Sequence, residues 1–338
     1  MEEKIQILWQ SLKEKGATNS EFCELIKNIP ELREEAWQEL KKKNPSNNDL
    51  RFLIEHVPSM LTVLWTELKK RNISNYELKN IIEYVEPLRK EAWKLLQKQK
   101  PTNFELRDIA RYVDVLRHDA WKILRKNNPS ENDLLYIIKF VESLRHDAWK
   151  SLSKIKPDIS SLIYIMKYVP ELRKDAWLMV IKLKKSSEVV AKVIKEVPEL
   201  REEAWNRLIK QDPDTDNLCM IMKNVPELRE EAWKKLCDRG CMNVDLRFII
   251  KNIEELRDVA WKKLLEQGAS NDDYCFIIKD VKGLRVQAWE RFIKNNPTNE
   301  EIDFIIKYIP TMKEYAQKFK NEDKNSILKE IIKNYGQQ

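Results

Sequence analysis

The 338-residue sequence is poor in glycine, histidine and cysteine, with only five, three and five of these residues. So few glycines argue against sheets with tight hairpins and against a glycine-rich phosphate-binding loop. The cysteines are odd in number and scattered, which is typical of a reducing compartment. Cys237 and Cys241 are four residues apart, but no second Cys or His pair follows at the spacing of a zinc site, so we expect no metal.

The sequence also lacks long apolar runs and the residue combinations of common active sites. No apolar stretch approaches the ~18 residues of a membrane helix. The start, MEEKIQILWQ, has no basic region followed by an apolar run. His118 and His146 occupy equivalent places in L-R-H-D-A-W, and no Ser-His-Asp set accompanies them. We therefore expect a cytoplasmic protein that is not an enzyme, uses no cofactor and does not bind a membrane.

Tryptophan, in contrast, is abundant and occurs at one fixed spacing. From each tryptophan to the next, the position number rises by 28 without exception. A fixed period between about 20 and 50 residues indicates a repeat architecture. The eleven positions are Trp9, Trp37, Trp65, Trp93, Trp121, Trp149, Trp177, Trp205, Trp233, Trp261 and Trp289.

Each Trp lies in a segment with helical periodicity, the first helix of its repeat. Leu or Met recurs five residues before the Trp, Ala one before and Leu three after, as at Leu200, Ala204 and Leu208 around Trp205. These offsets share one face of a helix with 3.6 residues per turn. Proline recurs seven residues before the Trp, as at Pro198, where its missing N–H suits a first helical turn. The pattern predicts a first helix of about 13 residues.

A second helix follows a loop that often contains proline. Its apolar residues stand at offsets +13, +16, +17 and +20 from the Trp, as at Leu246, Ile249, Ile250 and Ile253. These spacings form one helical face over about 11 residues. Ser/Thr-x-x-acid pairs at its start predict capping boxes. The pairs are Thr18/Glu21, Ser46/Asp49, Ser74/Glu77, Thr102/Glu105, Ser130/Asp133, Ser270/Asp273 and Thr298/Glu301.

Each repeat has three parts: the segment P-E-L-R-E-E-A-W-x-x-L, a proline-containing loop and the segment L-x-x-I-I-K-x-V. Together they resemble HEAT-like repeats, especially the short kind of the phycobilin lyases. The resemblance implies an all-α fold, a right-handed α-solenoid (superhelix) of about twelve 28-residue two-helix repeats. It implies no activity. The strict period, and Trp where a small residue is common, depart from that family. Eleven regular repeats fill residues 1–309, and a degenerate capping repeat fills 310–338, with Gln317 at the Trp position and a second helix around Ile327–Tyr335.

Arginine recurs four residues before the Trp, within the apolar face, where a charge needs partners. We expect these arginines to connect repeats by pairing with carboxylates of the adjacent repeat, with the Trp within stacking reach one turn away. We expect the tryptophans themselves to pack in the core. The arginines are Arg33, Arg89, Arg117, Arg145, Arg173, Arg201, Arg229, Arg257 and Arg285.

Lysine recurs at offset +18 from the Trp, and aromatic residues recur at offsets +15 and +19. Offsets +15 and +18 point away from the core face, and offset +19 lies to one side. In HEAT-like arrays the second helix usually lines the concave surface, so a basic and aromatic groove is predicted there. The candidate binding residues are Lys139, Lys167, Lys195, Lys223, Lys251, Lys279, Tyr136, Phe140, Tyr164 and Tyr168.

The leading hypothesis is a monomeric, non-catalytic scaffold whose groove binds an extended acidic peptide or protein partner. A net charge of +7 permits such a partner without demanding one. A second hypothesis is nucleic-acid binding through the same groove, including a role like that of the DNA-repair glycosylases built from HEAT-like repeats. A third is a purely structural array, in which the aromatics pack between helices and the lysines form a solvated face.

Overall fold

The computed structural model describes residues 2–184 and 186–321. All regular structure in these residues is helical, and no strand occurs among them. The helices follow one another in pairs, and the chain divides into two compact units with the boundary between Ser161 and Leu162. The predicted all-α fold built from stacked helix pairs is confirmed, whereas the right-handed turn of the stack stays a prediction.

The first helices carry odd labels. They are α1 Glu2–Glu14, α3 Arg33–Lys42, α5 Leu61–Lys69, α7 Arg89–Lys98, α9 Arg117–Lys126, α11 Arg145–Leu152, α13 Arg173–Lys182, α15 Arg201–Lys210, α17 Arg229–Arg239, α19 Arg257–Glu266 and α21 Arg285–Lys294. From α3 onward each is preceded by a three-residue 3-10 turn, such as Pro30–Leu32. Turn and helix together span the predicted length of the first helix, and proline occupies the first or second position of six of these turns.

The second helices carry even labels. They are α2 Asn19–Asn28, α4 Asn47–His56, α6 Asn75–Tyr84, α8 Asn103–Tyr112, α10 Glu131–Phe140, α12 Ile159–Tyr168, α14 Ser187–Glu196, α16 Thr215–Asn224, α18 Asn243–Asn252, α20 Asn271–Asp280 and α22 Asn299–Tyr308. Within each unit, successive second helices pack directly on one another, closer than successive first helices do. The second helices therefore form one shared surface in each unit.

The second helices begin where the Ser/Thr-x-x-acid pairs predict. All seven pairs form capping boxes, in which the hydroxyl accepts from the third N–H and the acid accepts from the cap N–H. The cap acid also contacts the neighbouring repeat in several places. Asn103 Nδ2 donates to Asp133 Oδ2 at 3.1 Å, and Asn271 Nδ2 donates to Glu301 Oε2 at 2.9 Å. These capping boxes thus help to hold neighbouring repeats together.

The first helices end in a way that the sequence analysis did not anticipate. The residue seven after the Trp adopts positive φ in ten repeats, whether it is glycine, as at Gly240 (φ 86), asparagine, as at Asn128 (φ 51), or lysine, as at Lys100 (φ 56). This left-handed residue closes the helix. Proline often follows it, which prevents the helix from continuing.

The tryptophans lie in the core, as predicted. Ten of the eleven are buried, and Trp233 is partly exposed. Where glutamate stands two residues before the next Trp, it accepts from the indole N–H: Trp65 Nε1 lies 2.8 Å from Glu91, and Trp205 Nε1 lies 2.6 Å from Glu231. The tryptophans therefore combine apolar burial with a hydrogen bond to the following repeat.

The arginines connect elements, as predicted, and they have a second role that was not predicted. Nε of all nine donates to the carbonyl seven residues earlier, near the carboxyl end of the preceding second helix, at 2.7–3.2 Å. A cation there completes unpaired carbonyls and opposes the helix dipole. Some of them also pair with glutamates of the next repeat, as in Arg173–Glu199 at 2.7 Å, Arg201–Glu227 at 2.9 Å and Arg229–Glu255 at 2.7 Å.

At the two ends of the array the sequence pattern is less informative. Ile7 and Leu8 fit the helical register of α1 but are 66% and 63% exposed. Leu8 stands at the position of the buried alanine of later repeats, whereas the position of Ile7 is exposed in the later repeats as well. Residues 310–321 form the 3-10 turn Pro310–Met312 and helical residues 313–321. The second helix expected around Ile327–Tyr335 lies outside the described residues. In the described part of the chain, no helix is both long and apolar enough to cross a membrane.

Candidate binding surface on the second helices

The six candidate lysines, which we call the lysine row, occupy equivalent places on the second helices α10 to α20. Each stands one residue before the end of its helix, and each is exposed. The buried residues at offsets +13, +16, +17 and +20 from the Trp face the first helices, so the residue at offset +18 points to the opposite side. The members are Lys139, Lys167, Lys195, Lys223, Lys251 and Lys279.

Several lysines of the row lie over an aromatic ring of the following repeat. Nζ of Lys223 is 5.6 Å from the centre of the Phe248 ring. The corresponding distances are 5.4 Å from Lys251 to Phe276 and 5.8 Å from Lys279 to Phe304. Cation–π attraction at exposed sites contributes about 0.5–1 kcal/mol. The rings therefore hold the ammonium groups in place while leaving them in contact with solvent.

Some lysines also have polar partners at the end of the next second helix. Lys167 pairs with Glu196 at 3.4 Å, and Lys251 pairs with Asp280 at 3.0 Å. Lys223 donates to Asn252 Oδ1 at 3.0 Å. Lys195 is exposed and has no hydrogen bond, ion pair or ring contact among residues 186–321. The lysine row is thus partly neutralised by the protein itself.

The four candidate aromatic residues form two stacked pairs within single helices. The ring centroids of Tyr136 and Phe140 are 4.8 Å apart, and those of Tyr164 and Tyr168 are 4.9 Å apart. The first member of each pair is half-buried, whereas Phe140 and Tyr168 are 40% and 58% exposed. Each outer ring lies close to the lysine before it, at 5.0 Å for Lys139 and 5.2 Å for Lys167. The candidate aromatic residues thus lie beside the candidate lysine of the same helix, on α10 and on α12.

The surface between neighbouring second helices is grooved. A depression of about 510 Å³ lies between α20 and α22, with the rings of Phe276 and Phe304, the thiol of Cys275 and the basic side chains of Arg247 and Lys279 in its walls. A depression of about 540 Å³ involves the equivalent positions of α2, α4 and α6. These grooves are large enough to receive side chains of a bound peptide.

In α6, α8 and α10 an ion cluster occupies this surface, and sequence reasoning missed it. Lys79 Nζ lies 3.3 Å from Glu83 and 3.4 Å from Asp108, and all three side chains are nearly buried. Tyr136 donates its hydroxyl proton to Asp108 Oδ1 at 3.0 Å, and Arg107 Nε lies 4.0 Å from the same carboxylate. The available signal was Lys79, which stands four residues before the acid that replaces lysine at Glu83.

Burial and charge act in opposite directions in this cluster. Burial lowers the pKa of Lys79, but Glu83 and Asp108 outweigh it, so the pKa is raised overall. Burial raises the pKa of Glu83 more than Lys79 lowers it. Burial also raises the pKa of Tyr136 to about 12, which keeps its hydroxyl protonated as a donor. The cluster is therefore held together by ionised partners in a poorly hydrated place.

The thiols give no sign of a nucleophile. Burial raises the pKa of Cys23, Cys219 and Cys275 to about 12, so they remain protonated at neutral pH. Within residues 2–184 and 186–321, no three or more His, Cys, Asp or Glu side chains are grouped so as to hold a metal ion. The arrangement on the second helices is suited to binding through charge, stacking and shape.

Comparison with known proteins does not assign this chain to a family. The chain matches no protein-family model, no curated protein and no solved structure. The likeness to HEAT-like repeats therefore stays a prediction that rests on the repeated motif.

Proposed function

We propose that the second-helix surface binds an extended acidic peptide or protein segment and performs no chemical step. The observation that carries the proposal is the part of the lysine row in the second unit, where Lys167, Lys195, Lys223, Lys251 and Lys279 place one exposed ammonium group in each successive repeat. Lys223, Lys251 and Lys279 are additionally fixed over phenylalanine rings. A preformed array of like charges costs less ordering on binding than flexible side chains would.

The spacing of the row suits an extended chain. Packed helices lie about 8–10 Å apart, and an extended peptide with three residues per turn advances about 3.1 Å per residue, so that every third side chain lies on the same side. About three peptide residues therefore pass each repeat, and a carboxylate at every third residue can meet one lysine per repeat. The exposed pairs Lys167–Glu196 and Lys251–Asp280 contribute below about 1 kcal/mol each, so a peptide carboxylate can replace the internal partner. Tyr168 offers a ring for an apolar side chain beside the charges.

Acidic side chains at the other end of the same helices favour a peptide over nucleic acid. In the second unit, exposed acids stand in the first turn of four second helices; they are Glu188, Asp216, Asp272 and Glu300. A phosphate backbone carries only negative charge and would be repelled along this edge. A peptide can place basic or neutral side chains there. The surface therefore fits a chain of mixed side chains better than a polyanion.

The test is fluorescence anisotropy with a labelled peptide that carries Glu at every third residue. The control peptide has the same composition with its acids gathered at one end. Substituting Glu for Lys195, Lys223, Lys251 and Lys279 should weaken binding of the first peptide by about tenfold or more, because four attractive contacts become repulsive. A matched variant replaces four exposed first-helix lysines by Glu and should bind like the wild type; these are Lys174, Lys210, Lys234 and Lys262.

Two outcomes would contradict the proposal. Equal losses in both lysine variants would mean that only net charge matters. Tighter binding of labelled single-stranded RNA, single-stranded DNA or duplex DNA, with a steep dependence on salt that the row variant loses, would assign the surface to nucleic acid. The peptide and nucleic-acid probes should be compared in the same buffer series for this reason.

A further inference from the structure

Three exposed aromatic rings end successive second helices in the first unit. Tyr84, Tyr112 and Phe140 are the last residues of α6, α8 and α10, and they are 70%, 56% and 40% exposed. We call them the ring row. So much aromatic surface in one line contributes little to the core and is typical of an interaction site.

Cationic donors lie beside the ring row. The Arg111 guanidinium lies 4.7 Å from the centre of the Tyr112 ring and 3.8 Å from that of Phe140, and it donates to the Tyr136 hydroxyl at 3.1 Å. Lys139 lies 5.0 Å from the Phe140 ring. The local acids Glu83 and Asp108 are turned inward to Lys79 and nearly buried. A ligand that reaches the rings therefore meets cationic donors between them.

The spacing of the rings distinguishes between peptide conformations. Neighbouring packed helices are separated by about 8–10 Å. A polyproline II helix has three residues per turn and rises about 3.1 Å per residue, so one turn advances about 9 Å. In a β-strand, the residues on one face recur after about 6.7 Å. Only the polyproline II chain presents one equivalent residue to each ring.

We propose that the ring row binds a proline-rich segment in the polyproline II conformation, with one proline against each of Tyr84, Tyr112 and Phe140. Proline rings pack on flat aromatic faces, and a proline-rich chain has few N–H groups and many free carbonyls. Those carbonyls accept from Arg111 and from the tyrosine hydroxyls. This proposal does not depend on the acidic peptide, because it rests on the rings of the first unit and on different chemistry, whereas the acidic peptide is tested at lysines of the second unit.

The test measures binding of a fluorescein-labelled oligoproline of about twelve residues, long enough at ~3.1 Å per residue to pass all three rings. The full-length protein should bind it saturably. Tyr112→Ala should weaken binding by about tenfold, because the central ring is lost, while Tyr112→Phe should keep most of the affinity. Tyr308→Ala is the matched control: Tyr308 also ends its helix and is 50% exposed, but α20 before it ends in Asp280 and supplies no second ring.

Two comparisons decide the proposal: peptides with different proline spacing, and oligoproline against an oligonucleotide. A peptide with proline at every third residue should bind more tightly than one with proline at every fourth, because only the first keeps register with the repeats. No saturable binding, equal affinity of the two periods, or an unchanged affinity in Tyr112→Ala would overturn the proposal. Binding of oligouridine that Tyr112→Ala abolishes, without oligoproline binding, would overturn it in favour of base stacking.

Discussion

The surface formed by the second helices α6, α8 and α10 in the first unit differs from that formed by α16, α18, α20 and α22 in the second unit. In the first region, Glu83 stands where lysine is usual, Lys79 neutralises it from inside, and exposed rings end the helices. In the second region, lysines lie over phenylalanine rings and acids line the opposite edge. The second-helix residues at offsets +13, +16, +17 and +20 from the Trp, which face the first helices, are apolar or aromatic in both regions. The comparison shows that one packing scheme supports two surfaces of different chemistry, because core and surface occupy separate positions of the helix.

The largest expected effect tests whether the core is equivalent in the two regions. Trp65→Ala and Trp205→Ala each remove a buried indole whose N–H bonds to the next repeat. Each should lower the free energy of unfolding by about 3–5 kcal/mol. Chemical denaturation followed by circular dichroism measures both losses. Wild-type stability in either variant would contradict the packing role. Losses that differ by more than about 2 kcal/mol, the usual spread for one type of core truncation, would break the equivalence.

The next effect tests the difference between the surfaces. Lys79→Met leaves Glu83 without its counter-charge, and it leaves Asp108 with only Tyr136 and Arg107 as partners. The free energy of unfolding should therefore fall by about 3 kcal/mol at pH 7. Burial already raises the pKa of Glu83, and Lys79→Met removes the charge that opposes this shift. The contribution of such a carboxyl to stability is present below the unfolded pKa and is lost as pH rises through the folded pKa. The deficit should therefore shrink as pH falls from 7 towards 5.

Lys251→Met is the matched control for that experiment. Lys251 also forms an ion pair, with Asp280 at 3.0 Å, but its side chain is 43% exposed. Its loss should cost below about 1 kcal/mol and change little between pH 5 and 7. Equal costs in the two variants would show that the cluster is hydrated like an ordinary surface pair.

A smaller effect concerns the hydrogen bond between Trp and the next repeat. Trp121 Nε1 is buried and has no acceptor within the described residues, because Asp147 is one methylene shorter than the glutamate that accepts elsewhere. Asp147→Glu should raise the free energy of unfolding by about 1 kcal/mol. Glu231→Asp should lower it by a similar amount, since Trp205 then loses its acceptor. Thermal unfolding measures the stability of both variants. Changes of the same sign would contradict the role of this hydrogen bond.

The smallest effect concerns the helix ends. Lys100 adopts φ 56 in the first unit, and Lys100→Gly should stabilise the protein by about 0.5–1 kcal/mol by relieving the left-handed backbone. Gly240 adopts φ 86 in the second unit, and an added Cβ would meet no atom within 4 Å. Gly240→Ala should therefore cost about 1 kcal/mol through backbone strain alone. A stabilising Gly240→Ala, measured by thermal unfolding, would exclude this explanation.

Much of the fold could be predicted because its determinants are local and recur. The offsets around Trp205 define the first helix, and pairs such as Ser46/Asp49 mark where a second helix begins. The helix end at Lys100 escaped prediction because lysine gives no signal of positive φ. The exposure of the lysine row could be predicted, because its residues stand on the side of the helix opposite the apolar residues. The Lys79 cluster could not, because its partner Asp108 belongs to another repeat.

Residue spacing accounts for the repeat period, the helix pairs, the buried tryptophans and the exposed lysines, since each depends on spacing within about one turn or one helix. Which groups meet between repeats depends on the packing of the helices. That packing placed the nine arginine Nε groups on helix-end carbonyls, turned Glu83 and Asp108 inward around Lys79, and left Tyr84, Tyr112 and Phe140 in an exposed row. The physical reason is that these contacts depend on the distance and angle between packed helices, which no single repeat contains.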